Sequence, residues 1–107
     1  MLVCLIKKVK MKFSEIIALE KPVLVDFFAE WCGPCKTMSP ILKEVKDSIG
    51  DAVSIIKLDV DKNPQTANDF QVQGVPTLIL FKNSQILWRQ SGVVSKNQLL
   101  QIVKTHI

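Results

Sequence analysis

The chain is poor in the residues that build disulfide frameworks and metal sites: its 107 residues include only three cysteines and one histidine. A small secreted scaffold needs a larger and even set of cysteines, so three of them exclude a framework of several bridges. A zinc site normally takes four ligands, often from two separate cysteine pairs. Beyond Cys32 and Cys35, only Cys4 and His106 remain, at opposite ends of the chain, and zinc is disfavoured.

Long hydrophobic runs and a consistent excess of one charge are also missing. The longest uninterrupted apolar run, residues 1–6, is far shorter than the roughly 20 residues that a helix needs to span a bilayer. The terminal apolar residues precede the lysines, and no small-residue cleavage site follows, unlike a secretory signal. The net charge of +4 comes entirely from Lys7, Lys8, Lys10 and Lys12, since the rest has ten basic and ten acidic residues. We therefore expect a cytoplasmic protein with neither a membrane nor a nucleic acid as partner.

What is present suits one folded domain, which we predict over residues 1–107, because 48% of the residues are hydrophobic and 22% charged. Apolar runs predict strands at Leu2–Val9, Val23–Ala29, Val53–Val60, 77–82 and 85–90. Helical spacing and capping residues predict four helices: one from Phe13 with a Ser14 cap, one from Pro34 to Ile49, one opened by Asn63 and Pro64, and one capped by Ser95.

The resulting order, βαβαβαββα, predicts an α/β fold with a central mixed sheet of five strands and four helices on its two faces. Right-handed crossovers should make the early central strands parallel, and the final hairpin should add an antiparallel edge. Functional sites in such sheets collect beyond the carboxyl ends of the strands. Cys32 and Cys35 lie just beyond the carboxyl end of the strand Val23–Ala29.

The spacing of this cysteine pair favours a reversible redox site. Cys32 stands at the start of a helix, where unpaired N–H groups and the helix dipole favour the reactive thiolate. Cys35 is one turn further on, close enough to form a disulfide with Cys32, and its place in the helix predicts deeper burial. We expect Cys32 to attack a substrate disulfide and Cys35 to resolve the mixed disulfide. Gly33 leaves room for a partner, and Pro34 stiffens the loop.

Asp26 interrupts an otherwise apolar strand. An unpaired buried charge is costly, and desolvation raises the pKa of a carboxyl group. A carboxyl group titrating near neutrality is suited to exchange a proton with Cys35, and Lys57 in the next strand is placed to moderate its charge. The alternative is a solvated carboxylate at a strand end.

The segment "GVPTLILF" places Pro76 at the start of a strand, a position tolerated where the missing N–H is not needed. A cis bond between Val75 and Pro76 would bring this backbone beside the cysteines. The pattern alone leaves the isomer open, because few X–Pro bonds in folded proteins are cis.

Together, "DFFAEWCGPCK", "LDVDKNP", "GVPTLILF" and Gly92 resemble the thioredoxin family, and the similarity extends over residues 2–106. The resemblance implies the thioredoxin fold, a cis bond before Pro76, and buried Asp26 with Lys57 nearby. It also implies Cys32 as nucleophile and Cys35 as resolving thiol. A flat substrate-binding patch is implied at Trp31, Gly33, Pro34, Val75, Pro76, Gly92 and Val93.

The family's chemistry implies a monomeric reductant of protein disulfides that needs no metal and no cofactor besides its own redox-active disulfide. The implied partners are a thioredoxin reductase and disulfide-containing client proteins. Two alternatives stay open: an oxidant or isomerase of the same fold, and a binding module that docks partners without turnover. Relatives that oxidise or isomerise typically carry histidine at the position of Pro34, which disfavours the first alternative.

The sequence departs from the family pattern at two positions. Phe28 replaces a tryptophan found in many relatives, and Ser84 replaces the usual turn glycine. Cys4 lies outside the shared motifs and is interpreted as a buried strand residue. Trp88 and Arg89 are interpreted as an edge-strand aromatic with a solvated neighbour.

Overall fold

A computed structural model describes residues 2–4 and 12–107. The strands are β1 (Leu2–Cys4), β2 (Val23–Phe28), β3 (Ser54–Asp59), β4 (Thr77–Lys82) and β5 (Gln85–Ser91). The helices of the described residues are α1 (Phe13–Ile17), α2 (Gly33–Ile49), α3 (Pro64–Asp69) and α4 (Lys96–Thr105), with a short 3-10 turn at Gly50–Ala52. The part of the first predicted strand that follows Cys4 lies outside the described residues.

The strands form one mixed sheet in the order β1-β3-β2-β4-β5. β2 and β3 are parallel, and β4 and β5 form the predicted antiparallel hairpin. β1 differs from the expectation, because it runs antiparallel to β3. The crossover rule concerns strands joined in a parallel β-α-β unit, and β1 pairs with β3 rather than with the strand that follows it.

Alternate residues of the central strands face two separate cores. Leu24 of β2 and Ile55 of β3 belong to the core beneath α2 and α4, whereas Val25 and Ile56 belong to the core on the α1 side. The second core contains four phenylalanine rings whose centroids lie 5.2–6.5 Å apart: Phe13, Phe27, Phe70 and Phe81. Helices therefore cover both faces of the sheet, which confirms the predicted α/β class.

The ends of several elements differ slightly from the prediction. β2 ends at Phe28 and β3 covers Ser54–Asp59, so both are shorter than predicted. The cap residue of α1 is Lys12, and Ser14 lies inside the helix instead. The Lys12 N–H donates to the Glu15 carboxylate at 2.9 Å, as in a capping box. The Ser95 cap is confirmed by a 3.2 Å hydrogen bond from the Gln98 N–H to its hydroxyl.

The hairpin turn shows how serine is accommodated where glycine is usual. Asn83 and Ser84 both have positive φ, 53° and 67°, as a two-residue hairpin turn requires. The backbone N–H groups of these residues donate to the carbonyl oxygens of Leu19 and Ile17 at 3.0 and 2.8 Å. These hydrogen bonds fix the turn against the end of α1 and offset the weaker turn preference of serine.

Arg89 is exposed, as the sequence suggested, but its side chain also binds another element of the fold. Its guanidinium reaches from β5 to the end of α3, where it donates to the carbonyl oxygens of Phe70 and Gln71. Gln71 has a positive φ of 55°, so the guanidinium holds a segment that is otherwise strained. Trp88 is half-buried against the core beneath α2 and α4.

We expect Arg89→Ala to lower the free energy of unfolding by about 1 kcal/mol, since two charge-assisted but exposed hydrogen bonds are lost. Arg89→Lys is the matched control, because lysine keeps the charge but lacks the planar fork that reaches both carbonyl groups. Urea denaturation of the three proteins should place the lysine variant between the other two. An alanine variant as stable as the parent would show that the contact contributes nothing.

Candidate active site

The N-terminus of α2 holds the cysteine pair. Cys32 is the cap residue before the first helical residue, Gly33, and its sulfur accepts a hydrogen bond from the Cys35 N–H at 3.1 Å. Pro34 lies in the first turn, where its fixed φ suits a helix start. Cys32 and Cys35 are joined by a disulfide bond, with their Cα atoms 5.3 Å apart. A side chain at Gly33 would meet nothing within 4 Å, so the surface beside the disulfide is open.

The two cysteines are equally buried in this oxidised form, each 3% exposed. The expectation that Cys32 is the more exposed is therefore wrong for the disulfide. Ring closure places the Cys32 sulfur against the Cys35 amide and 3.6 Å from the carbonyl oxygen of Val75. The disulfide sulfur carries no proton, but in the reduced state the thiol can donate to that carbonyl group.

The loop before β4 forms the opposite wall of the site. The peptide bond between Val75 and Pro76 is cis, as the resemblance implied. The carbonyl oxygen of Pro76 accepts a hydrogen bond from the Gly92 N–H at 2.8 Å, and Gly92 has a φ of 91° that favours glycine. Gly92 thus joins this wall through its backbone.

The residues of the predicted substrate patch differ in accessibility. Trp31 is 72% exposed and Val93 is 43% exposed. Gly33 and Pro34 are also exposed, whereas Val75 and Gly92 are half-buried. Pro76 is buried, so it shapes the wall without offering side-chain surface to a partner.

Trp31 is fixed by a residue that the sequence analysis missed. Its indole N–H donates to the Asp61 carboxylate at 2.7 Å. Asp61 is placed by buried Asp59, whose carboxylate accepts from the N–H groups of Asp61 and Lys62 at 2.9 and 3.3 Å. The segment "DVDKNP" contains a signal for this turn, because aspartate often accepts from backbone N–H groups two or three residues onward.

Asp26 is fully buried in the centre of β2, and both of its carboxylate oxygens lack a hydrogen-bond partner among the described residues. It lies in register with Lys57 of β3 and Leu78 of β4. Desolvation raises the pKa of Asp26 to about 6, and the positive charge of Lys57 opposes this rise in part. The solvated strand-end alternative is therefore wrong, since the neighbouring strands cover this position on both sides.

Lys57 is held by two contacts on the α2 side of the sheet. Its ammonium donates to the Ser39 hydroxyl at 2.6 Å and lies 4.8 Å from the centre of the Phe28 ring. Phenylalanine thus provides a cation–π contact where many relatives have tryptophan. Ser39 was not identified from the sequence, although it follows Cys35 by one helical turn, and its hydroxyl lies 3.5 Å from the Cys35 carbonyl oxygen.

A cavity of about 280 Å³ opens below the disulfide. It is lined by Phe28, Ala29, Glu30, Cys35, Lys36, Ser39 and Lys57. Among the residues described, no group of three or more histidine, cysteine or acidic side chains is arranged to hold a metal ion. No described helix has the length and apolarity to cross a membrane.

A sequence comparison with protein families matches residues 4–105 to the thioredoxin family. A thioredoxin-like protein of Synechocystis is 43% identical over 103 residues, covering 95% of this chain and 98% of its own. The thioredoxin of Mycobacterium tuberculosis is 48% identical over 88 residues, covering 82% of this chain and 76% of its own. Chloroplastic thioredoxin Y of rice is 45% identical over 94 residues; these cover 87% of this chain but only 56% of the rice protein.

Solved structures show the same similarity. Thioredoxin-2 of the malaria parasite has a TM-score of 0.80 at 34% identity, covering 94% of this chain and 91% of its own. Oxidised mitochondrial thioredoxin 3 of Saccharomyces cerevisiae has a TM-score of 0.78 at 33% identity, covering 87% and 86%. Sequence and fold therefore agree over most of the chain.

Proposed function

The chain belongs to the thioredoxin family, and on that premise we propose that it is a dithiol reductant of disulfide bonds in other proteins. Thiol–disulfide oxidoreduction is the activity of this family, and the chain is an oxidoreductase of that kind. The observation that carries the proposal is the closed Cys32–Cys35 disulfide at the N-terminus of α2. A helix terminus stabilises the thiolate on which disulfide exchange depends.

In the first step, the reduced Cys32 thiolate attacks one sulfur of a client disulfide. A bond forms between Cys32 and that sulfur, the client's own disulfide bond breaks, and the other client sulfur leaves as a thiolate that takes a proton. The Cys35 N–H points at the Cys32 sulfur at 3.1 Å and so favours its negative charge. Exposed Trp31, Gly33, Pro34 and Val93 form the docking surface around it.

In the second step, Cys35 resolves the mixed disulfide. Asp26 accepts the proton of the Cys35 thiol, and the resulting thiolate attacks the Cys32 sulfur. The Cys32–Cys35 bond forms, the bond to the client breaks, and the client leaves as a second thiolate. The client has gained two electrons and this chain has lost two. A pKa of about 6 suits Asp26 to accept a proton near neutral pH.

A thioredoxin reductase, acting as partner, returns the two electrons by reducing the Cys32–Cys35 disulfide. The cycle then needs no cofactor on this chain, which works as a monomeric electron carrier. A reductant stays reduced only where such a reductase supplies electrons, and we propose that this place is the cytoplasm. The chloroplastic and mitochondrial locations of two relatives are properties of those proteins.

The reduction potential separates this function from that of an oxidant or isomerase. We expect a value near that of thioredoxin, about −270 mV, rather than the −180 mV or so of protein disulfide isomerase. The measurement is equilibration of the protein with glutathione buffers of known potential, followed by quantification of both forms. A gap of about 90 mV is roughly a thousandfold in equilibrium constant, so the two outcomes are easily told apart. A potential near −180 mV would reject the reductant assignment.

A further inference from the structure

The ammonium of Lys57 is positioned in a way that the reaction scheme does not explain. Asp26 of β2 and Lys57 of β3 are directly opposite each other on two adjacent parallel strands. Yet no ion pair within 4.0 Å joins them, and the buried Asp26 oxygens have no hydrogen-bond partner among the described residues. A buried carboxylate without a partner attracts a nearby ammonium strongly, so another contact must hold Lys57 in place.

That contact comes from α2. The Ser39 hydroxyl accepts a 2.6 Å hydrogen bond from Lys57, while the Phe28 ring lies 4.8 Å from the ammonium. A hydroxyl group can accept and donate at once. The Ser39 hydroxyl itself donates to the carbonyl oxygen of Cys35 at 3.5 Å. The lysine ammonium is thereby connected to the helix that carries the resolving cysteine.

We propose that Ser39 is a positioning residue for the exchange reaction: its hydroxyl holds the Lys57 ammonium beside Phe28 and α2, and so prevents an ion pair with Asp26. The inference rests on the proposed function, because it concerns the step in which Asp26 takes the proton of Cys35. A carboxylate paired with an ammonium is stabilised in its charged form and becomes a weaker base. Ser39 therefore maintains the basicity of Asp26 without removing the positive charge from its surroundings.

The other groups near Asp26 do not provide an equivalent contact. On the α2 side, Lys57 lines two cavities; the other charged residues that line them are Glu30, Lys36, Lys43, Lys46 and Asp47, while Cys35 is held in the disulfide. Lys46 donates to the carbonyl oxygens of Gly50 and Val53, and Lys43 and Asp47 are exposed. Glu30 and Lys36 are exposed, so solvent and salt screen their charges. From β4, the register partner of Asp26 is Leu78, which carries no charge. Lys57 is thus the cation whose placement determines the field at Asp26, consistent with its opposing effect on the pKa there.

The test is the pKa of Asp26 in the oxidised protein, measured from the pH dependence of its carboxyl carbon shift by nuclear magnetic resonance. Ser39→Ala should lower this pKa by about one unit or more, the size expected when a carboxylate gains a close cation. Alanine is a good helix former, so α2 should stay folded. Ser39→Thr is the matched control: it restores the hydroxyl and should restore the parent pKa. An unchanged or raised pKa in Ser39→Ala would overturn the proposal.

A double-mutant cycle with Lys57→Met tests whether Ser39 acts through the lysine. Lys57→Met should raise the pKa of Asp26, and adding Ser39→Ala to it should cause no further fall. A fall of equal size in both backgrounds would show that Ser39 acts by another route. These measurements use the oxidised protein without a client, so they are independent of the direction of electron flow. A reduction potential near −180 mV would reject the reductant assignment while leaving the result on Ser39 intact.

For activity, Ser39→Ala should shift the rising limb of the pH profile of client reduction to lower pH, and Ser39→Thr should return it. A residue with only a structural role would change the amount of folded protein but not the position of that limb. If the pH profile of client reduction stays in place while the pKa of Asp26 falls, then Asp26 does not take part in the rate-determining step. That result would reject the role of Ser39 in exchange.

Discussion

Replacing Cys35 by serine is expected to stop turnover and to leave clients covalently attached to Cys32. The first exchange step is unaffected, because Cys32 keeps its place at the terminus of α2. The second step loses its internal nucleophile. Release should slow by at least roughly 1,000-fold, since a well-placed intramolecular group acts at an effective concentration far above that of a dissolved thiol. Non-reducing gel electrophoresis with a disulfide-containing client should show an adduct that dithiothreitol dissolves.

Two controls make this result specific. Cys32→Ser should give neither turnover nor adduct, since no attacking thiolate remains at the helix terminus. Cys4→Ser should behave like the parent, because Cys4 is not required in the two-step scheme. Adducts through Cys35 in the Cys32→Ser variant would reverse the assigned roles. A Cys32→Ser/Cys35→Ser variant with full function would support the alternative of a binding module without turnover.

Replacing Asp26 by alanine is expected to stabilise the protein at neutral and alkaline pH while slowing exchange. The pKa of Asp26 is about 6 in the folded state, against an ordinary value of 3.8, so ionisation is harder in the folded protein. The destabilisation from ionising Asp26 is absent below pH 3.8, grows between pH 3.8 and 6, and is complete above pH 6. This pKa difference of about two corresponds to a gain of about 3 kcal/mol in the free energy of unfolding when the carboxyl group is removed. The cost of the small cavity that alanine leaves is subtracted from this gain.

Urea denaturation of both proteins at several pH values measures this effect directly. The stability of Asp26→Ala relative to the parent should rise by about 3 kcal/mol from pH 3 to pH 8. Comparing the two proteins at each pH cancels the contribution of the other carboxyl groups. A difference that is constant with pH would mean that Asp26 titrates alike in the folded and unfolded states.

In the same variant, the rate of client reduction at pH 7 should fall by up to roughly 100-fold. This is a small effect for the loss of a general base, because water can still accept the proton from Cys35. Asp26→Glu retains a carboxyl group and should recover part of the rate if it can fit. Full activity of Asp26→Ala would exclude Asp26 as the proton acceptor of Cys35.

Much of the site could be predicted because its parts are local in sequence. Cys32, Gly33, Pro34 and Cys35 are consecutive, and their place at a helix start follows from the strand before them and the apolar face after them. Asp26 was identified because a lone acid within an apolar strand is costly unless it has a purpose. Lys57 was identified because it lies in the next strand, and the structure places it in register with Asp26.

The missed residues all depend on geometry between distant elements. Asp61 contacts Trp31 across 30 positions, and Arg89 reaches the end of α3 from β5. Ser39 gains its role from a lysine 18 positions away. Single polar residues on helices and loops are common, and no sequence period distinguishes these three. The equal burial of Cys32 and Cys35 was missed for another reason: helix position predicts the depth of a side chain but not the effect of closing a disulfide ring.

The four phenylalanine rings on the α1 side have a consequence for protein engineering. They come from Phe13, Phe27, Phe70 and Phe81, and they pack on the face of the sheet opposite to Asp26 and Lys57. Neighbouring residues of a strand face opposite sides of the sheet. Repacking this aromatic layer should therefore change the stability of the scaffold and leave Asp26 and Lys57 on the other face in place. A library confined to these four positions would therefore let melting temperature be selected separately from redox chemistry.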